Sequence, residues 1–190
     1  MSASKLDLTR NGQWVSGPST LMSVLGLSRA EVVNCRMVRW LFDPLARHGI
    51  GVDMIRSLAD YLDITIESPE TASVETEIAI ADTRADIVLT AGSDTIVFEA
   101  KIDAAEQDQQ GKRIETHWPD ADPLIFLTAG RARIPHSAAD PARWRHLSWL
   151  WIAETASAHT TQKHGTGDAR MTTAHDAVRA WADSTLRSLR

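Results

Sequence analysis

The stretch from Val74 to Ile102 limits the fold of this chain more than any other. Val74, Thr76, Ile78 and Ile80 alternate with Glu75, Glu77 and Ala79, and two further apolar runs, 84–91 and 94–102, meet at Gly92-Ser93. Period-two alternation predicts strands, and a two-residue loop with glycine first predicts a hairpin. With Gly92-Ser93 as the loop, paired residue numbers sum to 185, so Val88 faces Val97, Asp86 faces Glu99 and Arg84 faces Lys101. Directly opposed residues place their Cβ atoms about 4.5–5.5 Å apart. Residues two apart on a strand share a face. Asp86, Glu99 and Lys101 are thereby expected on one side of the sheet, with Ile87, Leu89, Ile96, Phe98, Ala100 and Ile102 on the other.

Two carboxylates facing each other across a strand pair repel. Three arrangements relieve this. The face can be solvated and the repulsion screened, Lys101 can neutralise one acid in a salt bridge, or a divalent cation can sit between the two. Oxygen ligands of this kind suit Mg²⁺ or Mn²⁺, and magnesium needs only one or two protein carboxylates. A nearby ammonium can then orient water or offset charge building on phosphorus.

The elements around this meander are read from spacing and caps. Ser19-Thr20 predicts a short helix through Leu25, and Ser28 caps a helix with Val33, Met37, Trp40 and Leu41 that ends near Asp43-Pro44. His48-Gly49 marks a turn and residues 52–63 a third helix. After the hairpin come a polar helix over 104–117, a buried strand Leu124–Thr128, a loop over 129–143, a short strand 145–148 and an apolar helix from Trp149. Residues 1–17 read as a loose lead-in, 157–171 as a flexible linker and 172–190 as a C-terminal helix, leaving 1–156 as the main domain. Helices, a meander and then helix–strand elements imply an α/β fold: a central mixed sheet of four or five strands flanked by helices, with a helical C-terminal extension.

Composition narrows the functional classes. Twenty basic against 25 acidic residues give a net charge of −5, unlike a passive nucleic-acid coat but compatible with a local basic groove. Lys112, Arg113, Arg131, Arg133, Arg143 and Arg145 are candidates for such a groove, with a plain solvated face the alternative. The single cysteine, Cys35, excludes a disulfide framework and any multi-cysteine metal site, and reads as a small buried hydrophobe. No signal peptide or membrane-length apolar run is visible, so a cytoplasmic location and no membrane partner are expected. Trp118 and Trp144 lie near loops, where they can stack on a base or simply pack. Gln107 and Gln110 are expected on one side of their helix.

Asp86, twelve residues, then Glu99-Ala100-Lys101 resembles the signature of the PD-(D/E)XK nuclease superfamily. Four further pieces, in order, are similar to an uncharacterised PD-(D/E)XK family 4-like branch. They are the Glu31 helix ending in Asp43-Pro44 with His48-Gly49 after it, Glu106-Gln107-Asp108-Gln109-Gln110, Ile125-Phe126-Leu127-Thr128, and Leu147-Ser148-Trp149. Asn34-Cys35 stands where the branch has His-Ser, and Gly111 where a leucine usually follows the glutamine.

This resemblance implies a restriction-endonuclease-like core and metal-dependent hydrolysis of nucleic acid, DNA in preference to RNA. It implies Asp86 and Glu99 as ligands of Mg²⁺ or Mn²⁺, Lys101 as the catalytic lysine, Glu31 as the helix acid completing the site and Gln110 as its supporting glutamine. Glu77, on the polar face of the first strand, is a candidate further acid or an ordinary polar-face residue. Such nucleases serve restriction, phage defence or repair, where a homodimer or a larger complex would suit cutting of both strands. A different class remains open: a non-catalytic scaffold of the same fold, docking a partner through the 172–189 helix. So does a cleavage module that depends on a separate subunit.

Overall fold

The computed structural model describes residues 18–163 and 169–189, so the expected lead-in over 1–17 lies outside them. One mixed sheet carries the fold, with strands β1 (Ser73–Ile80), β2 (Thr83–Ala91), β3 (Asp94–Lys101), β4 (Leu124–Thr128) and β5 (Trp144–Ser148) in spatial order 1-2-3-4-5. The first three strands form an antiparallel meander, and β3, β4 and β5 run parallel. The helices are α1 (Leu21–Val24), α2 (Glu31–Phe42), α3 (Gly51–Leu62), α4 (Gln110–His117), α5 (Trp149–Gln162) and α6 (Ala169–Ser188). Among the described residues no helix is long and apolar enough to cross a membrane.

The hairpin forms with the expected register from Ala91↔Asp94 to Ile87↔Phe98, and Gly92 takes the positive φ of +61° that its loop position needs. The sheet then packs on both faces. Ile87, Leu89, Ile96, Phe98, Ala100, Ile125 and Leu127 join α2, α3, α5 and α6 in the larger core. Val97, Leu124, Phe126 and Trp144 join Ile114 and Trp118 of α4 and its C-terminal turn in a smaller one. Trp118 and Trp144 are therefore packing residues, 8% and 3% exposed, and not free stacking platforms.

Three boundaries differ from expectation. The helix read over 104–117 starts only at Gln110, because Gln109 adopts left-handed backbone at φ +54°. The preceding segment instead delivers Glu106, whose carboxylate accepts from the His136 and Ser137 amides at 2.7 and 3.2 Å. Helix α2 begins at Glu31, three residues beyond the expected cap, and the Ser28 hydroxyl bonds Ser184 of α6 at 3.0 Å. The stretch read as a linker is helical to Gln162 and again from Ala169; residues 164–168 lie outside the described residues. Helix α6 is not a loose extension: Val178, Trp181 and Ala182 are buried in the larger core.

The long β4–β5 connection is docked rather than free. Glu115 of α4 accepts from the Ala139 and Asp140 amides and from the Trp144 indole at 2.7 Å. Gly111 lets this loop approach α4: its amide donates to Ser137 at 2.8 Å, and a Cβ there would lie 2.8 Å from Pro135 Cβ and 3.1 Å from the Ala138 nitrogen. Glycine thus stands where a side chain has no room. Gly111→Leu is expected to destabilise the fold by about 1–3 kcal/mol through overpacking, read as a lowered urea midpoint at unchanged slope.

Candidate active site

The C-terminal end of β3 carries Glu99 and Lys101 on the α4 face of the sheet. Glu99 is 0% exposed and Lys101 5%, and their side chains form an ion pair. The ammonium also donates to the Ala100 carbonyl at 3.2 Å, whereas Glu99 Oε2 is buried with no hydrogen-bond partner. Burial, then the Asp86 charge, pushes the Glu99 carboxyl up to about 8 against the pull of Lys101. For Lys101 burial acts downward, but the Glu99 carboxylate, with Asp86 and Glu31 behind it, raises the ammonium above its ordinary value. The pair therefore combines a firmly held cation with a carboxyl reluctant to ionise.

Asp86 does not simply face Glu99 in the ladder. The β2–β3 pairing stops at Ile87↔Phe98, and the β1–β2 pairing skips the Glu77–Asp86 position. Glu77 sits at φ +59°, a left-handed backbone that is uncommon for glutamate. Val74 packs in the larger core and Ile78 against the smaller one, although period two would place both on one face. The kink thus reverses the faces of β1 at Glu77, and Ala85 and Ile87 divide in the same way on β2. At this break the Asp86 carboxylate accepts from the Ala100 amide at 2.8 Å, which fixes it against the backbone between Glu99 and Lys101.

Glu31 arrives from the first turn of α2, where a negative charge is favoured by the helix dipole. It accepts from the Ile102 amide at 3.0 Å, and burial, the largest influence on it, raises its carboxyl. Two backbone amides of the Ala100–Ile102 stretch are thus held by acids of other elements, and the Trp149 indole donates to the Lys101 carbonyl between them at 3.2 Å. The strand end bearing Lys101 is clamped on both sides.

Gln110 is buried, accepts from the Gln107 amide at 3.2 Å, and lines a cavity of about 360 Å³ together with Asp86, Gln107, Arg84 and Arg113. Glu77 takes another course. Its carboxylate pairs with Arg84 at 3.1 Å and Arg36 at 3.6 Å, at the break in the ladder opposite Asp86. Sequence reasoning missed both arginines because they are remote from each other along the chain and meet only around this kink.

Asn34 is not at the site: its amide donates to the Ala30 carbonyl at 2.9 Å and its oxygen accepts from the Trp181 indole at 2.8 Å, tying α6 to α2. Cys35 is buried as expected, and burial raises its thiol. His48 is buried at the α2–α3 turn, with Nε2 on the Trp40 carbonyl and Nδ1 accepting from the Ile50 amide. Of the expected basic surface, Arg143 and Arg145 are spent on backbone carbonyls, and Arg113 bonds the Asp108 carbonyl.

Among the described residues, no three His, Cys, Asp or Glu side chains are gathered as a complete protein-built metal centre requires. A magnesium ion that keeps its waters needs only one or two protein carboxylates; here Glu99 Oε2 is buried without a hydrogen-bond partner, and the Asp86 charge acts on the Glu99 carboxyl. No protein-family model matches the chain, and neither a curated protein nor a solved structure matches it.

Proposed function

We propose that this protein is a Mg²⁺- or Mn²⁺-dependent nuclease with a restriction-endonuclease-like core that hydrolyses phosphodiester bonds of DNA. The observation carrying this reading is the Glu99–Lys101 pair, wholly enclosed yet leaving one carboxylate oxygen without a partner. Burying an ion pair is rarely a gain over well-packed apolar side chains, and an orphaned buried oxygen adds to the cost. Strongly shifted groups of this kind cluster at functional sites.

In the proposed reaction Asp86 and Glu99 would hold the cation, which when bound would supply Lewis-acid polarisation of the phosphodiester and lower the pKa of water. Lys101 holds the attacking water and offsets charge on the phosphoryl oxygens. The water oxygen bonds to phosphorus and gives up a proton to solvent, one ester P–O bond breaks, and the departing alkoxide takes up a proton from solvent. Glu31 positions Lys101 through the Ile102 amide, and Gln110 lines the cavity that exposes Asp86.

The scaffold alternative draws on the missing three-residue metal cluster among the described residues. Its docking helix, however, already has a partner, because Trp181 and Val178 of α6 are packed inside this same domain. The test is cleavage of supercoiled, linear and single-stranded DNA and of RNA, with Mg²⁺, Mn²⁺ or EDTA. Metal-dependent cutting of DNA is expected. Absence of both cutting and Mn²⁺ binding by calorimetry would overturn the catalytic reading and leave the scaffold.

A further inference from the structure

A second cavity, of about 560 Å³, opens beyond the C-terminal ends of β3 and β4. Its lining includes Ile102, Arg29, Arg131, Arg133 and the end of α6 at Ser188 and Leu189. The three arginines differ. Arg29 is neutralised by Asp103. Arg131 and Arg133 are exposed, and neither has an ion-pair partner among the described residues.

The sheet register relates these cations to the candidate site. Glu99 pairs with Phe126 and Phe126 with His146, so the three form one row across β3, β4 and β5. The Arg133 guanidinium lies over the Phe126 ring, 5.5 Å from its centroid. It therefore stands above the strand next to Glu99, on the face that also carries Lys101, with neighbouring strands about 4.8 Å apart.

The segment bearing these arginines is pre-positioned. Glu106 fixes the loop at His136 and Ser137, Glu115 fixes it at Ala139 and Asp140, and Gly111 lets it seat on α4. A fifteen-residue connection over 129–143 is thus held at its middle, and its unpaired charge is delivered to one side of the cluster. Guanidiniums on an anchored loop at the carboxyl ends of parallel strands, without carboxylate partners, match the phosphate backbone of a nucleic acid.

We propose that Arg131 and Arg133 form a phosphate clamp that seats a DNA strand across the C-terminal ends of β3 and β4, beside Lys101. The clamp rests on the nuclease reading and adds to it the track of the substrate and the residues that grip it. Both residues bind backbone phosphate and read no base, so they contribute affinity without sequence preference.

The test measures binding, not cutting. A short fluorescein-labelled DNA duplex is titrated with the full chain in EDTA by fluorescence anisotropy over a series of salt concentrations. Each phosphate contact contributes about 0.9 to the slope of log affinity against log salt. The double variant R131A/R133A is expected to bind about tenfold or more weakly and to lose about 1.8 from that slope. R56A, which removes an exposed α3 arginine paired with Glu70, is expected to bind as the wild type does. Melting temperatures of all three proteins should agree, because both clamp residues are exposed.

Equal affinity and slope for the wild type and R131A/R133A would overturn the clamp while leaving the nuclease reading intact. No DNA binding by the wild type in EDTA would overturn the clamp, while the nuclease reading is decided separately by the cleavage and Mn²⁺-binding tests. An equal loss in R56A would show a diffuse charge effect and would also overturn the clamp.

Discussion

Lys101→Met is expected to lower metal-dependent DNA cleavage by about 10²–10³-fold, the usual scale for removing a group that meets developing charge. The same substitution should leave the chain folded. Removal of one partner from a buried ion pair ordinarily costs about 3–5 kcal/mol, because the other charge is stranded. Here the stranded group is Glu99, whose carboxyl burial pushes up to about 8 even beside Lys101, so without the ammonium it takes up a proton instead of remaining charged. Methionine also matches the lysine stem in length and suits the enclosed setting. A variant that loses activity and its melting transition together would contradict this account; one inactive and folded would support it.

The pH dependence of that variant follows from linkage. Glu99 titrates near 4.5 when unfolded and near 8 when folded, so folding favours its protonated form and stability from this group falls as pH rises between those values. Removal of Lys101 takes away the attraction that holds the folded value down, so in Lys101→Met it lies higher still. Below about pH 8 both proteins lose this contribution in parallel. Above it the wild type has finished titrating and the variant has not. The melting-temperature deficit of Lys101→Met is therefore expected to be constant up to about pH 8 and to widen beyond it. A deficit that narrows with rising pH would mean that Glu99 is not the group left uncompensated.

What the chain shows of itself before folding is uneven for physical reasons. The hairpin register is legible because a two-residue loop with glycine first leaves little choice of pairing, and five pairs follow it from Ala91↔Asp94 inward. The approach of Asp86 to Glu99 is legible for the same reason, but its form is not. Nothing local marks Glu77 as the point where β1 adopts positive φ, since neither glycine nor asparagine stands there. The late start of α4 is hidden likewise, because Gln109 in a left-handed conformation looks like one more residue of a polar helix. Asn34 and Trp181 are 147 residues apart, and no spacing rule connects them. The arginine pair around Glu77 and the seating of the 129–143 loop on Gly111 are tertiary facts of the same kind. Local pattern thus places the acids and the lysine on one face. How tightly they are enclosed depends on residues far along the chain.

Trp149 makes that dependence measurable. It is fully buried at the start of α5, directly after Ser148, whose hydroxyl caps the helix by accepting from the Trp151 amide at 3.0 Å. Its indole belongs to the larger core, and its N–H reaches across to the Lys101 carbonyl. Trp149→Ala removes both contributions and is expected to cost about 3–5 kcal/mol, a large share of the 5–15 kcal/mol typical of a whole domain. In a chain of this length that corresponds to a fall of roughly 10 °C in melting temperature. Trp149→Phe keeps most of the ring volume and loses the hydrogen bond, so its cost should be about 1–3 kcal/mol. The Phe variant also separates packing from positioning. The carbonyl it leaves without a donor is that of Lys101, so under the nuclease reading kcat should fall while KM for DNA changes little. An unchanged kcat at the lower stability would show that Trp149 supports the core alone and that the Glu31 and Asp86 contacts suffice to hold the end of β3.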